Sequence, residues 1–229
     1  MKTLGIIPAR SGSKGIKDKN IMPFGGQPLI SWTIKQARNA LLNTFGNKTV
    51  VSTDSKAYKE KIDSWFPKED LVPFIRPKTI AKDDTPTAKV IIDALDRYPE
   101  YETFILLEPT APLRTTANIT EPLALIRDGV CKAVVSVCDS HRCHPAHSFR
   151  MNRNILQMND DLPHLRRQAL EPFWHLTGTI YAADVEYYRK HLTFETPKTY
   201  GYKVAEWQDQ EVDNLDDIKK ILPFLERVK

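Results

Sequence analysis

Leu4 to Asn20 reads LGIIPARSGSKGIKDKN, and the fold depends on how this stretch is parsed. The run Leu4-Gly5-Ile6-Ile7 has no polar interruption and closes on a proline, the pattern of a buried parallel strand that stops at Pro8. The residues after Pro8 read as a loop, because Gly12 and Gly15 permit close backbone approach and positive φ, and Ser11 and Ser13 stand between and before them. Arg10, Lys14, Lys17 and Lys19 bring four cations into ten residues, with only Asp18 against them. A strand delivering such a loop suits a polyphosphate. The segment lacks a terminal GK[ST] and is not GxGxxG, so the two commonest phosphate fingerprints are excluded. On residue types alone a solvated basic loop after a first strand is the competing reading.

Working outward, the chain alternates strand and helix signals. Gly25-Gly26 and Pro28 mark turns before a helical period through Leu29, Ile30, Thr33, Ile34, Ala37, Ala40 and Leu41. Thr49 to Asp54 reads as a second buried strand. Its polar end either faces the same loop or, through Thr53 and Asp54, caps a helix running to Trp65. A helix from about Ala88 to Arg97 comes next, with Asp84 or Thr85 as N-cap and Pro86 at its first position. Phe104 to Leu107 and Ala133 to Cys138 are further buried strands around a helix from Ile119 to Arg127. An edge strand near Tyr202 to Glu206 and a last helix from Ile218 to Val228, capped by Asp216 and Asp217, complete an α/β chain.

Between Asp139 and Trp174 the regular period disappears and short alternations suggest hairpins. Cys138, His141, Cys143, His144 and His147 supply soft ligands there, but in none of the recurrent zinc spacings. Near the C-terminus, alternation puts Glu211 and Asp213 on one face of an extended segment, as a shared divalent cation requires.

A chain of 229 residues fits one domain with a sizeable core, and a net charge of +4 accords with small anionic substrates without pointing to nucleic acid. No leader pattern starts at Met1, no run approaches a membrane span, and the cysteines number three. A cytoplasmic protein with free thiols and no membrane partner is the expectation.

Arg10-Ser11-Gly12-Ser13-Lys14-Gly15 and then Lys19-Asn20 match, in type and spacing, the opening motif of CMP-sialic acid synthetases, the N-acylneuraminate cytidylyltransferases. The resemblance extends over nearly the whole chain in five ordered blocks, strict only in the first. It implies a three-layer, Rossmann-like α/β nucleotidyltransferase with a mostly parallel sheet, a single domain over 1–229 and an inserted dimerisation arm at about 139–174. The implied reaction joins CTP to the anomeric hydroxyl of a 2-keto acidic sugar and releases pyrophosphate. In that reading Arg10, Ser11, Gly12, Ser13, Lys14, Gly15, Lys19 and Asn20 hold the nucleotide, and Arg10, Lys19 and Asp213 are catalytic.

Ile75 to Thr87 resembles the family's RPxxLAxD segment, which assigns Arg76 to the cytosine or ribose region and Thr87 to the base. Glu108 to Arg114, EPTAPLR, resembles LQPTSPLR, with Glu108 where the pattern has glutamine; a carboxylate accepts but does not donate. Arg114 is read as a helix cap or a local tie. Arg166-Arg167-Gln168 resembles the pair that reaches across the dimer, which assigns Arg167 and Gln168 to the sugar; two exposed loop arginines are the alternative. Phe173 to Tyr181 matches FRxNGAIY in part, with His175 for arginine and Thr177 for asparagine at sugar-contacting positions. His147 stands near a position the family gives to lysine. Gln210 to Ile218 resembles DIDTxEDL, which assigns Glu211 and Asp213 to Mg²⁺, with Mn²⁺ as a substitute. The departures at Glu108, His147, His175 and Thr177 suggest an acceptor other than N-acetylneuraminate, such as a legionaminate, pseudaminate, octulosonate or phosphonate. A nucleotide binder without catalysis is the alternative class.

Overall fold

The apolar run at the N-terminus forms β1 (Thr3–Pro8), from which the other strands of the sheet are laid out. A computed structural model describes residues 1–13, 15–41, 46–140, 144–157 and 166–228, the side chain of Arg167 excepted. After β1 come a short hairpin, β2 (Pro23–Phe24) and β3 (Gln27–Pro28), then α1 (Leu29–Leu41), β4 (Lys48–Ser52) and α2 (Lys56–Trp65). The middle holds α3 (Thr87–Arg97), β5 (Thr103–Leu106), α4 (Ala117–Arg127) and β6 (Ala133–Asp139). A small hairpin, β7 (Arg150–Asn152) and β8 (Ile155–Gln157), precedes β9 (Trp174–Asp184), α5 (Val185–His191), β10 (Thr199–Lys203) and α6 (Leu215–Ile221).

The six-stranded sheet has the order β4-β1-β5-β9-β6-β10. β1 pairs in parallel with β4 and β5, and β10 with β6, whereas β9 runs antiparallel between β5 and β6. Side chains alternate across a strand, and the sequence uses this to fill two faces. Ile7, Val51 and Ile105 point to the layer of Ile30 and Ile34 from α1 and Ile119 and Ile126 from α4. Leu4, Ile6, Val50 and Phe104 point the other way, to Ile91 and Leu95 from α3 and Tyr188 from α5. The result is three layers. Each fully buried Ile or Leu contributes about 1.5–3 kcal/mol. A third cluster seats the C-terminal segment, through Val212, Ile221 and Leu225, on Phe24, Leu29 and Trp32.

Several expectations change at element ends. The cap of α2 is Ser55, whose Oγ accepts from Tyr58 N at 3.2 Å, not Thr53 or Asp54. At α3 the N-cap position is Pro86, with no side-chain cap, while Thr85 Oγ1 instead accepts from Lys82 N at 3.1 Å. Asn214 caps α6, and Asp217 completes the box by accepting from Asn214 N at 2.9 Å. The last helix is α only to Ile221 and continues as a 3-10 turn, Leu222–Val228, since Pro223 cannot donate to the α ladder.

β9 and α5 went unread in the sequence. Trp174–Asp184 mixes His, Thr and Gly with apolar residues, so its strand period is masked. β9 has polar partners waiting for it: where its pairing with β6 shifts register between Val135 and Val137, Ser136 Oγ accepts from Ile180 N at 2.9 Å. The β7–β8 hairpin turns at Arg153 and Asn154, both in the left-handed region (φ 46° and 67°), as a two-residue hairpin requires. All six of its strand residues are exposed.

Candidate functional site

The basic loop is built on the C-terminal edge of β1 and pinned from several sides. Ala9 N donates to Ser52 O at 2.9 Å, and Ser11 N and Oγ each donate to the Asp54 carboxylate at 2.8 Å. Asp54 is thus an anchor for the loop. Arg10 Nη1 donates to Gly12 O at 3.1 Å, its Nη2 pairs with Asp83, and Asn20 Nδ2 donates to Arg10 O at 3.2 Å. Gly12 has φ 73°, a conformation that suits glycine. Gly15 answers a different demand, because a Cβ there would lie 2.8 Å from Asp213 O. The loop therefore packs directly on the C-terminal segment. Lys19 Nζ completes that junction with a bond of 3.0 Å to Asp213 Oδ1.

Under the loop lies a cavity of about 430 Å³. Arg10, Ser13, Gly15, Lys19 and Asn20 line it from the loop, and Arg76, Thr87, Glu108 and Asp213 from elsewhere in the chain. Arg76 is the most informative of these. It is 3% exposed, its backbone N–H donates to Thr53 O at 2.7 Å, and its guanidinium Nε and Nη2 have no hydrogen-bond partner. Burial pulls its pKa below the usual arginine value. Buried donors without acceptors are costly, and a ligand rich in acceptors would satisfy them. Thr87 stands at the first turn of α3, which has no side-chain cap and no acidic residue there, so the positive end of this 11-residue helix also meets the cavity.

A second cavity of about 500 Å³ adjoins the first, and Thr87, Glu108 and Thr110 line both. Gly178, Tyr181 and Glu211 belong to the second. Glu108 sits at the junction with its pKa pushed up to about 7, first by burial and then by the charge of Glu211. Beneath it Arg114, fully buried, donates to the carbonyls of Glu108 (3.2 Å) and Thr179 and lies within reach of Thr33 Oγ1 and Gln36 Oε1. Burial lowers the Arg114 pKa to about 10. It is a local tie for the Glu108 loop, not a helix cap.

Glu211 and Asp213 flank Val212, which is 0% exposed and donates its N–H to Thr110 O at 2.8 Å. Glu211 lines the second cavity and Asp213, held by Lys19, the first. Burial and Asp213 raise the Glu211 pKa, while a hydrogen bond from the Gly178 N–H opposes the rise. A Cβ on Gly178 would come within 2.1 Å of Glu211 Oε1, so glycine leaves the space that the carboxylate occupies. Glu108, Glu211 and Asp213 put hard oxygen donors on the two joined cavities, the donor type that Mg²⁺ takes.

The residues expected to touch a sugar are placed otherwise. Thr177, 3% exposed, has its hydroxyl 2.7 Å from Ser136 Oγ and 3.1 Å from Thr179 Oγ1, inside the β6–β9 irregularity. His175 holds Ser140 Oγ through Nδ1 (2.9 Å) and Asp209 Oδ2 through Nε2 (2.6 Å). Neither lines the two cavities. Gln168 is exposed and borders a small cleft with Asp139, His144 and Phe173. Lys14, His141, Cys143 and the side chain of Arg167 lie outside the described residues. Of the remaining histidine-cysteine group, His144 is spent on Ala146 N and Glu171 O, and Cys138 faces His175 and Asp209 instead. Reading by residue type missed Gly178, Tyr181, Thr110 and Asp209, whose places are set by β9, by the loop after β5 and by the segment before α6.

A family model described as "Cytidylyltransferase" matches residues 4–227. An N-acylneuraminate cytidylyltransferase of Streptococcus agalactiae serotype V is 31% identical over 98% of this chain and 54% of its own length, so the chain spans about half of that relative. A pseudaminic acid cytidylyltransferase of Campylobacter jejuni is 37% identical over 79% of this chain and 78% of its own. Among solved structures, a CMP:2-keto-3-deoxy-manno-octonic acid synthetase complexed with CTP aligns with a TM-score of 0.70 at 15% identity, covering 99% of both chains. At that identity the likeness is one of fold.

Proposed function

The chain belongs to the cytidylyltransferase family, and from that membership we propose that it transfers CMP from CTP to the anomeric hydroxyl of a 2-keto acidic sugar, releasing pyrophosphate. The observation that carries the nucleotide half is Arg76, whose buried Nε and Nη2 lack acceptors at the wall of a cavity roofed by a basic loop. The acceptor half rests on the relatives, which are named for nonulosonic acids. The carboxylate of Glu108, which lines both cavities where the family pattern has glutamine, favours a nonulosonate other than N-acetylneuraminate, with an octulosonate or phosphonate as the remaining options.

The acceptor hydroxyl oxygen attacks the α-phosphorus, and the bond from that phosphorus to the bridging oxygen of pyrophosphate breaks. Arg10 and Lys19, which line the first cavity, would stabilise the charge that builds on the phosphoryl oxygens. Lys14 joins them by its place in the motif. Arg76 and Thr87 orient the nucleoside. Glu108, at the junction of the cavities with a pKa of about 7, holds the proton that leaves the hydroxyl. Glu211 and Asp213 are the residues that would hold Mg²⁺, or Mn²⁺ in its place, and the ion when bound would neutralise phosphate charge.

The arm supports a homodimer. Phe149, Met151, Ile155, Leu156 and Phe173 are 39–72% exposed, an apolar surface that a second copy of the chain would cover. Arg167 and Gln168 would then reach the neighbour's acceptor cavity. No helix among the described residues is long and apolar enough to cross a membrane. The unpaired Cys131 and Cys138 suit a reducing compartment, and we place the reaction in the cytoplasm.

The test is pyrophosphate release with CTP and Mg²⁺ against N-acetylneuraminate, legionaminate, pseudaminate, an octulosonate and simple phosphonates. Release with one acid and none with ATP or GTP supports the reading and names the acceptor. CTP-dependent thermal stabilisation without release from any acceptor favours the non-catalytic binder.

A further inference from the structure

Cys138 and His175 are direct partners in the antiparallel pairing of β6 and β9. Asp209, from the turn that leads to α6, brings a carboxylate to the same point. The thiol sulfur, an imidazole nitrogen and a carboxylate oxygen of these three all lie within 4.8 Å of one another. Cys138 is 3% exposed and closes the inner side, whereas the His175 side chain is 42% exposed and leaves an outer side open. The chain thus assembles one soft, one borderline and one hard donor from three separate segments.

We propose that Cys138, His175 and Asp209 form a three-ligand site for a Zn²⁺-class divalent ion, separate from the Glu211 and Asp213 carboxylates at the nucleotide cavity. The donor set carries the choice of metal: thiolate and imidazole select Zn²⁺ or Co²⁺ and discriminate against Mg²⁺. Ser140 supports the assignment. Its Oγ, buried and 2.9 Å from His175 Nδ1, is placed to accept a proton at that nitrogen once Nε2 exchanges its bond to Asp209 for the ion, the usual second partner of a metal-binding histidine. Metal bonds of about 2.0–2.3 Å place neighbouring tetrahedral ligand atoms roughly 3.3–3.6 Å apart. The His175–Asp209 contact of 2.6 Å therefore opens by less than about 1 Å on binding, a shift that rotation of the half-exposed His175 and Asp209 side chains can supply. Water occupies the fourth, open position. The thiol releases its proton to solvent on binding, so affinity rises with pH. Such an ion would tie the segment that carries Glu211 to the sheet without entering the reaction.

The test is titration of the chelator-treated full chain with Co²⁺ in excess Mg²⁺, read by absorption. Expected are a saturable thiolate-to-cobalt charge-transfer band with tetrahedral d–d bands, displacement by Zn²⁺, and a binding constant unmoved by Mg²⁺. Cys138→Ser removes the charge-transfer band, and Asp209→Asn and His175→Gln weaken binding at least ~10-fold. Cys138 is buried, so the isosteric Asp209→Asn, at a half-buried position outside the sheet, tests the site without disturbing the core. Absence of saturable binding, competition by Mg²⁺, a band that survives in Cys138→Ser, or unchanged cobalt affinity in Asp209→Asn each overturns the proposal.

Discussion

Arg76 shows how one residue separates binding from stability. Its guanidinium is buried with Nε and Nη2 unpartnered, which costs the ligand-free protein about 1–3 kcal/mol per orphaned group before any compensation. Arg76→Met keeps the volume and removes the cost. The expected outcome is a melting temperature equal to or above wild type without ligand, together with loss of the shift produced by CTP; thermal denaturation with and without CTP checks both. Glu108 is the second case. Its folded pKa of about 7 exceeds the ordinary 4.5, so between those values the folded state holds a proton that the unfolded state has lost. Stability then falls as pH rises through that window and levels above it, by about 1–3 kcal/mol for a partly exposed group. Glu108→Gln is expected to flatten that slope in denaturant titrations from pH 5 to 8 and to raise stability at pH 8. The identity of both residues was legible in the chain; their burial, which sets these signs, was not.

At the scale of elements, the strand least visible in the sequence does the most to shape the site. β9 enters antiparallel between β5 and β6, and its irregular pairing puts Gly178 against the Glu211 carboxylate. A methyl group 2.1 Å from Oε1 forces that carboxylate aside. Gly178→Ala is therefore expected to lower the turnover number at least ~10-fold by displacing a carboxylate proposed to hold the ion. The CTP-induced thermal shift, which depends on the loop and Arg76, is expected to persist, and parallel steady-state kinetics and melting curves separate the two. The same strand explains why Thr177 and His175, read as sugar contacts, are occupied elsewhere. Their partners Ser136, Ser140 and Asp209 come from other segments, and sequence spacing does not report such neighbours. By contrast β1, β4, β5, β6 and α1 were legible, because long apolar runs and a clean helical period leave few alternatives.

Over the whole molecule, the proposed function divides the labour of the two cavities between copies of the chain. The cavity under the basic loop is lined within one chain, while Arg167 and Gln168, proposed for the acceptor carboxylate, belong to the same 139–174 segment as the exposed hairpin β7–β8. Replacing Met151 and Ile155 together by aspartate, residues 66% and 72% exposed, places charges on that surface. The expected outcome is a monomer by light scattering that still gains stability from CTP but loses pyrophosphate release; a dimer of normal activity contradicts the assignment. The sequence by itself determined the α/β architecture and the basic loop, since apolar period and local charge are properties of neighbouring residues. Alternation about Val212 also pointed to Glu211 and Asp213 as a pair, whereas the folded chain sets Glu211 on the second cavity and Asp213 on the first. Only the tertiary structure decided which polar groups are satisfied and which are left open, from Asp54 beneath the loop to the orphaned donors of Arg76. Hydrogen-bond partners and desolvation depend on chain segments brought together by folding, and no local pattern encodes them.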